Sequence, residues 1–221
     1  MRSSRKCGTF LGAFGPPGFT YTGNSAFLDE GDGNFRIKFL TSGILTLYRK
    51  TVVDAFLVGG GAGGRRSNNY GGGGGGGRTL TQSGLTLLRG VEYPIVVAAT
   101  QTAEADPGNT STAFGLSAQG GTQATAQNGG AGGSGGGSGG TESGQRGAGG
   151  TNGGNGAGTT PGAGQGATTR EFGETTGDLC AGGGGGYTKA GGPGGGGNGY
   201  GYSGTSIAAM SAADNTGGGA G

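Results

Sequence analysis

The sequence predicts a mainly β protein: a small antiparallel sandwich or jelly-roll joined to a bundle of polyglycine-II helices, with almost no α-helix. Three observations lead to this fold class. Glycine supplies 66 of the 221 residues, and only 12% of the residues are charged. Short runs of β-branched and aliphatic residues fill the first half of the chain, as is typical of strands. No run keeps the 3.6-residue apolar period of an amphipathic helix.

Five runs in the first half carry the strand prediction. In NFRIKFL (34–40), strict alternation places Phe35, Ile37 and Phe39 on one face. GILTLYR (43–49) follows the turn-forming sequence Thr41-Ser42-Gly43, which predicts a hairpin between these two runs. The other three strand-like runs are TVVDAFLV, GLTLLRG and EYPIVVAAT. Together they predict the sandwich.

Glycine tracts such as QNGGAGGSGGGSGG and AGGGGGY dominate the second half. A flexible linker is the usual meaning of such tracts and stays open as an alternative. However, the tracts are short, and compact inserts such as TREFGETTGDLCA separate them. This pattern favours ordered left-handed helices with about three residues per turn. We expect glycine to let neighbouring helices approach and exchange backbone hydrogen bonds.

The composition predicts three segments. Residues 1–22 form a lead segment, and residues 23–118 form the β-rich sandwich with a glycine-rich insert at 59–77. Residues 119–221 form the polyglycine-II region. The lead segment begins with basic residues, but glycine and proline interrupt any apolar core, so we do not expect a secretory signal.

The insert contains a dinucleotide-binding pattern that needs a separate interpretation. Gly59, Gly61 and Gly64 give G-x-G-x-x-G directly after an apolar run. In a nucleotide site this motif opens a helix, and an acidic residue follows about twenty positions later. Here a glycine run follows, where each residue would cost a helix about 1 kcal/mol. We therefore interpret the pattern as a coincidence in a glycine-rich chain.

The remaining polar residues predict neither an enzyme nor a metal or cofactor site. Histidine, the commonest general base, is absent from the sequence. The acidic sequence DEGDGN (29–34) lacks the full ligand pattern of a calcium loop, which favours a solvated hairpin turn. A net charge of +2 gives no reason to expect nucleic-acid binding, and no apolar run is long enough for membrane insertion.

Several non-glycine phrases, in order along the chain, resemble glycine-rich tail proteins of bacteriophages and prophages. These phrases include FTYTGNSAFLDEGDGNFRIKFLTSGILTL, whose residues 19–47 resemble the leading hairpin of those proteins, and AFGLSAQGG, TREFGE and ADNTGGGAG. The resemblance implies a β-sandwich with a polyglycine bundle in a tail fibre or adhesin. It also implies a virion protein that is assembled in the host cytoplasm.

The resemblance implies partners as well: other tail or baseplate proteins, a host cell-surface receptor and further copies of the chain. Four aromatic residues at the ends of glycine tracts are the candidate receptor-binding residues: Phe172, Tyr187, Tyr200 and Tyr202. Such aromatics supply large contact areas at low entropic cost. The alternative is that they cap the bundle and pack between its layers.

Two other functions stay open. Residues 52–97 more distantly resemble the glycine-rich domain of the anaplastic lymphoma kinase family, which implies a cell-surface module that binds a protein ligand. A flexible glycine-rich structural protein is the third interpretation.

Overall fold

The structure is a computed structural model that describes most of the chain outside the lead segment. The described residues are 18–31, 34–65, 71–99, 101, 106–139, 154–157, 164, 169–199 and 211–221. Two of the candidate receptor-binding residues, Tyr200 and Tyr202, lie outside the described residues.

The chain divides into two compact units, which we name the β unit and the glycine unit. The β unit comprises Met1–Phe56, Thr81–Val97 and Thr112–Leu116. The glycine unit comprises Leu57–Leu80, Ala98–Ser111 and Ser117–Gly221. Both units are therefore built from stretches that are separated in the sequence.

Nine strands run through the described residues. They are β1 (Phe19–Tyr21), β2 (Ser25–Gly31), β3 (Asn34–Phe39), β4 (Gly43–Leu47), β5 (Thr51–Val58), β6 (Thr79–Leu87), β7 (Glu92–Val96), β8 (Ser111–Ala113) and β9 (Leu116–Ala118). One sheet has the order β1-β4-β7-β8-β9, and β2-β3 and β5-β6 form two further sheets. The described ranges contain no α-helix. The predicted mainly β fold with antiparallel pairing is thus confirmed.

Residues 19–47 form one long hairpin whose two arms are bent. β1 pairs antiparallel with β4, and β2 pairs antiparallel with β3, where Gly31 faces Asn34. Between these pairs, the amide of Leu40 donates to the carbonyl of Asn24 (2.9 Å). The residues between β2 and β3, 32–33, lie outside the described residues, so the predicted solvated turn in DEGDGN stays a prediction.

The predicted hairpin between residues 34–40 and 43–49 is wrong. β3 pairs with β2, and β4 pairs with β1 and β7. The residues Thr41-Ser42-Gly43 form a bend in one hairpin arm: the amide of Asn24 on the other arm donates to Thr41 Oγ1 (2.8 Å), and the amide of Val97 donates to Ser42 Oγ (3.0 Å). A Cβ on Gly43 would lie under 3.0 Å from the backbone of Gly23, so the bend requires glycine for close approach.

β6 is longer than its predicted run, which began at Gly84. The strand starts at Thr79 and passes through Gly84 with a φ of +73°. The amide of Gly84 donates to Asp54 Oδ1 (2.9 Å) on β5. A glycine inside a strand pattern indicates a local irregularity in the strand.

Apolar side chains from separate strands form the core of the β unit. The most deeply buried large members are Phe35 and Ile37 on β3, Leu45 and Leu47 on β4, and Val53 on β5. On β3 the buried residues alternate with more exposed ones, which confirms the predicted inward face at Phe35 and Ile37. Phe27 stacks on Phe35 with ring centroids 5.8 Å apart. Strands β3 and β4 of the hairpin are therefore anchored by their buried side chains.

Candidate functional site

The glycine unit has a core of backbone centred on the glycine run 71–77, of which residues 72–77 are buried. The amide of Gly74 donates to the carbonyl of Ala220 (2.7 Å), and that of Gly77 donates to Gly217 (2.8 Å). From the first bond to the second, the donor is three residues later in the chain and the acceptor is three residues earlier. The run and the 217–220 stretch are therefore antiparallel neighbours that meet once in every three residues.

Two other stretches accept hydrogen bonds from the same run with the same period. Gly73 donates to Gly137 (3.0 Å) and Gly76 donates to Ser134 (2.9 Å). Gly75 donates to Thr122 (3.1 Å), and the next residue of that series, Arg78, donates to Gln119 (2.8 Å). Successive amides of the run thus point to three different neighbours in turn. A β-strand would alternate between only two directions.

The carbonyls of the run repeat this arrangement with three donor stretches. In the first series, the amides of Gly59, Ala62 and Arg65 donate to the carbonyls of Arg78, Gly75 and Gly72. In the second, Gly130 and Gly133 donate to Gly73 and Gly76. In the third, Gly184 and Tyr187 donate to Gly74 and Gly71. Each series again steps by three residues. A step of three residues is the period of a polyproline-II helix, which has no hydrogen bonds of its own to satisfy its backbone.

Side chains are excluded from this backbone lattice by its spacing. An added Cβ at any residue from 72 to 77 would lie less than 3.0 Å from a backbone atom of another stretch. Gly59, Gly61 and Gly64, which give the dinucleotide-binding pattern, are equally restricted, by the carbonyls of Gln119, Gly218 and Gly221. Close backbone approach therefore explains these three glycines, and no α-helix follows them in the described ranges.

Phe172 lies in a loop that leaves and re-enters the lattice at neighbouring points. At its base, the amide of Cys180 donates to the carbonyl of Thr169 (2.9 Å), and the amide of Glu171 donates to Asp178 (2.9 Å). Phe172 is half-buried and has a φ of +52°, in the left-handed region that bulky residues rarely adopt. We name residues 169–180 the Phe172 loop.

Tyr187 lies where the glycine run 182–186 ends and the chain turns. Its amide donates to the carbonyl of Gly71 (3.1 Å), and the amide of Lys189 closes the turn on Gly186 (2.9 Å). The side chain is half-buried. Phe172 and Tyr187 are thus both at turns of the glycine unit, and the receptor-binding role of all four aromatics stays a prediction.

The described residues also limit other kinds of site. They contain no group of three or more His, Cys, Asp or Glu side chains that could hold a metal ion. No helix of the described chain has the length and apolar character that crossing a membrane requires.

Sequence reasoning missed a second surface, in the β unit. Tyr48 and Leu88 are strongly exposed and lie next to the cations Arg49, Lys50 and Arg89. The signal was present in YRK and LRG, where an apolar residue directly precedes cations at the end of a strand-like run.

Comparison with known proteins gives one match. A family model described as a glycine-rich domain matches residues 41–221. No curated protein and no solved structure matches the chain.

Proposed function

The chain belongs to the glycine-rich domain family, and from this premise we propose that it is a structural or adhesive component of a bacteriophage tail. In this proposal the glycine unit is a polyglycine-II bundle that holds loops for attachment to the host surface. The protein resides in the virion tail after assembly in the host cytoplasm. Its partners are other tail or baseplate proteins, a host receptor and further copies of itself.

The observation that carries the proposal is the three-residue period of the backbone hydrogen bonds around residues 72–77. Three residues per turn, with no hydrogen bonds inside the helix, describe a polyproline-II-type helix. In the run 72–77 the missing internal bonds are replaced by bonds to neighbouring stretches on both the donor and the acceptor side. An extended helix in glycine is thereby held without an apolar core.

A backbone lattice suits an exposed scaffold. Its order depends on hydrogen bonds that are buried between glycines, so its surface needs few large apolar side chains. Loops between the helices can change in sequence while the lattice keeps their ends in place. The Phe172 loop has this construction, since the backbone bonds at its base join Thr169 to Cys180 and Glu171 to Asp178.

The choice of a phage tail rests on the resemblance of the leading hairpin and the phrases that follow it. The described strands of residues 19–47, which carry most of that resemblance, pair as the two arms of a hairpin. In the adhesive form of the proposal, Phe172, Tyr187, Tyr200 and Tyr202 contact the receptor, because binding energy concentrates in a few aromatic anchors.

The tail location is tested with antibodies against the whole chain, applied to particles released from the source bacterium and viewed by immunogold electron microscopy. We expect label on the particle tails. Label on the bacterial cell surface with unlabelled particles would overturn the proposal and favour a cellular surface module.

The adhesive role is tested separately by adsorption of particles that carry Phe172→Ala together with Tyr187→Ala. We expect slower adsorption to host cells, while thermal unfolding of the isolated chain stays close to that of the wild type. Leu28→Ala is the control, because it also removes a large apolar side chain that is accessible to solvent, but from the β unit. Normal adsorption of the double variant would leave a purely structural tail role.

A further inference from the structure

The two most exposed large apolar side chains among the described residues belong to two turns of the β unit. Tyr48 is 57% exposed and Leu88 is 50% exposed. Val91, in the same turn as Leu88, is 39% exposed. Large apolar side chains that are this exposed contribute little to a core, and their grouping calls for another explanation.

The two turns lie next to each other. The amide of Gly90 donates to the carbonyl of Leu47 (2.9 Å), and Leu47 forms a parallel bridge with Arg89. The amide of Leu88 donates to Tyr93 Oη (2.7 Å), which fixes the start of the second turn. Residues 48–50 and 88–91 therefore form one surface, which we name the turn surface.

Cations accompany the apolar side chains of the turn surface. Arg49, Lys50 and Arg89 carry three positive charges, and Lys50 and Arg89 are exposed. Glu92 is the acidic residue that follows the second turn along the chain. The surface thus combines exposed apolar groups with a positive charge.

The backbone around Tyr48 also restricts its ring. The amide of Tyr48 donates to the carbonyl of Gly18 (2.9 Å). A Cβ on Gly18 would lie 2.8 Å from Tyr48 Cδ2, so the ring lies directly against this glycine. An exposed ring that is already held in place loses less conformational entropy when it binds a partner.

We propose that the turn surface adsorbs to an anionic lipid surface. Arginine and lysine contact the phosphate groups of the lipid headgroups, and Tyr48, Leu88 and Val91 enter the boundary between headgroups and acyl chains. Apolar side chains beside cations are the combination that binds proteins to the membrane interface without a spanning segment. This inference is independent of the tail proposal, because it rests on residues of the β unit alone.

The charge of the turn surface argues against a symmetric contact with a second copy. Such a contact places the same patch of both copies face to face, which would bring Arg49, Lys50 and Arg89 against their own equivalents. Like charges that meet in an interface are unfavourable. An anionic partner neutralises them.

Co-sedimentation of the whole chain with lipid vesicles tests the proposal. We expect binding to phosphatidylglycerol vesicles to exceed binding to phosphatidylcholine vesicles by about twenty-five-fold, from about fivefold for each of the two exposed cations, Lys50 and Arg89. High salt should remove most of this difference. Equal binding to both vesicle types, or no binding to either, would overturn the proposal.

Matched variants locate the binding surface. Arg89→Gln should weaken binding to the anionic vesicles about fivefold, and Leu88→Ser should weaken it as well. Arg78→Gln and Val96→Ser are the controls, because Arg78 is an exposed arginine of the glycine unit and Val96 is 45% exposed on β7. Thermal unfolding checks that every variant folds. If the control variants and the test variants bind the anionic vesicles equally well, the chain does not bind lipid through the turn surface, and the proposal is wrong. If polyglutamate binds the chain and vesicles do not, the partner is an acidic protein.

Discussion

Leu45 and Gly75 are both buried, but they stabilise their units through different interactions. Leu45 is 0% exposed and contributes apolar side-chain surface to the β unit. Gly75 contributes an amide bonded to Thr122 (3.1 Å) and a carbonyl bonded to Ala62 (2.9 Å). Burial of a leucine side chain is worth about 1.5–3 kcal/mol. A backbone hydrogen bond is worth about 1 kcal/mol net, but an unsatisfied buried group costs about 1–3 kcal/mol.

This difference predicts opposite tolerances to substitution. In the β unit, loss of side-chain volume is harmful because it leaves a cavity. In the glycine unit, any gain of volume is harmful because backbone atoms occupy the space that a side chain would need. The predictions below test this contrast, starting with the largest expected effect.

Gly184→Val should prevent the glycine unit from folding normally. A Cβ at residue 184 would lie under 3.0 Å from the carbonyl oxygen of Ala220, and backbone on a bonded stretch cannot move aside easily. We expect a loss of about 3 kcal/mol or more in the free energy of unfolding, at the upper end of the cost of overpacking. Chemical denaturation measures it. Gly84→Ala is the control, since nothing lies within 4 Å there and only its positive φ causes strain. Equal losses for both variants would contradict the lattice.

Leu45→Ala should destabilise the β unit by about 2–5 kcal/mol, the range for a buried leucine. The lost methyl groups leave a cavity beside Leu47 and the other buried residues of the unit. Denaturant titration gives the change in unfolding free energy. The exposed Leu28 provides the matched substitution, and Leu28→Ala should cost much less. A small effect at Leu45 would mean that the side-chain core is not what stabilises this unit.

Two neighbouring glycines give a finer test inside the lattice. A Cβ on Gly61 would lie under 3.0 Å from the carbonyl oxygen of Gly218, whereas the nearest atom to a Cβ on Gly60 is the amide nitrogen of Asn109 at 3.1 Å. Gly61→Ala should therefore cost about 1–3 kcal/mol, and Gly60→Ala clearly less. The melting temperatures of the two variants give the comparison. A lower melting temperature for Gly60→Ala than for Gly61→Ala would contradict the close backbone spacing at Gly61.

The smallest expected effect concerns the hairpin at Tyr21. Desolvation by burial raises the pKa of its hydroxyl above the ordinary value of 10.0, and the hydroxyl donates to the carbonyl of Thr41 (2.5 Å). A raised folded pKa stabilises the protein below the unfolded pKa and this contribution disappears as the pH rises through the folded value. Melting curves from about pH 8 to about pH 11 should show a larger loss for the wild type than for Tyr21→Phe. An equal loss of melting temperature in both proteins would contradict a stabilising role for the protonated Tyr21 hydroxyl.

The sequence predicts the two units to different depths. Strands β3, β4, β5 and β7 were predicted because their apolar residues alternate or cluster, and side chains encode that pattern directly. The hairpin turn was misplaced because Thr41-Ser42-Gly43 has turn chemistry in either role, and only its bonds to Asn24 show that it is a bend.

The glycine unit could be predicted only in outline. Composition and tract length favour an ordered bundle, but six consecutive glycines have identical side chains, so nothing in residues 72–77 specifies which stretch bonds to which amide. The pairing of Gly74 with Ala220 and of Gly76 with Ser134 depends on where all the loops end. The turn surface was missed for another reason: YRK and LRG show an apolar residue before cations, but not that Tyr48 and Leu88 are exposed or that their two turns lie side by side.

Amide hydrogen exchange of residues 73–77, followed by NMR, tests most directly whether backbone bonds form the core of the glycine unit. Each of these amides donates to a carbonyl of another stretch at 2.7–3.1 Å. Exchange should therefore be slow, with protection that approaches that of Leu45 and Leu47 in the β unit, because opening any of these bonds requires disruption of the lattice. Exchange at the rate of free glycine throughout this run, while the β unit stays protected, would show that the tracts are a flexible linker.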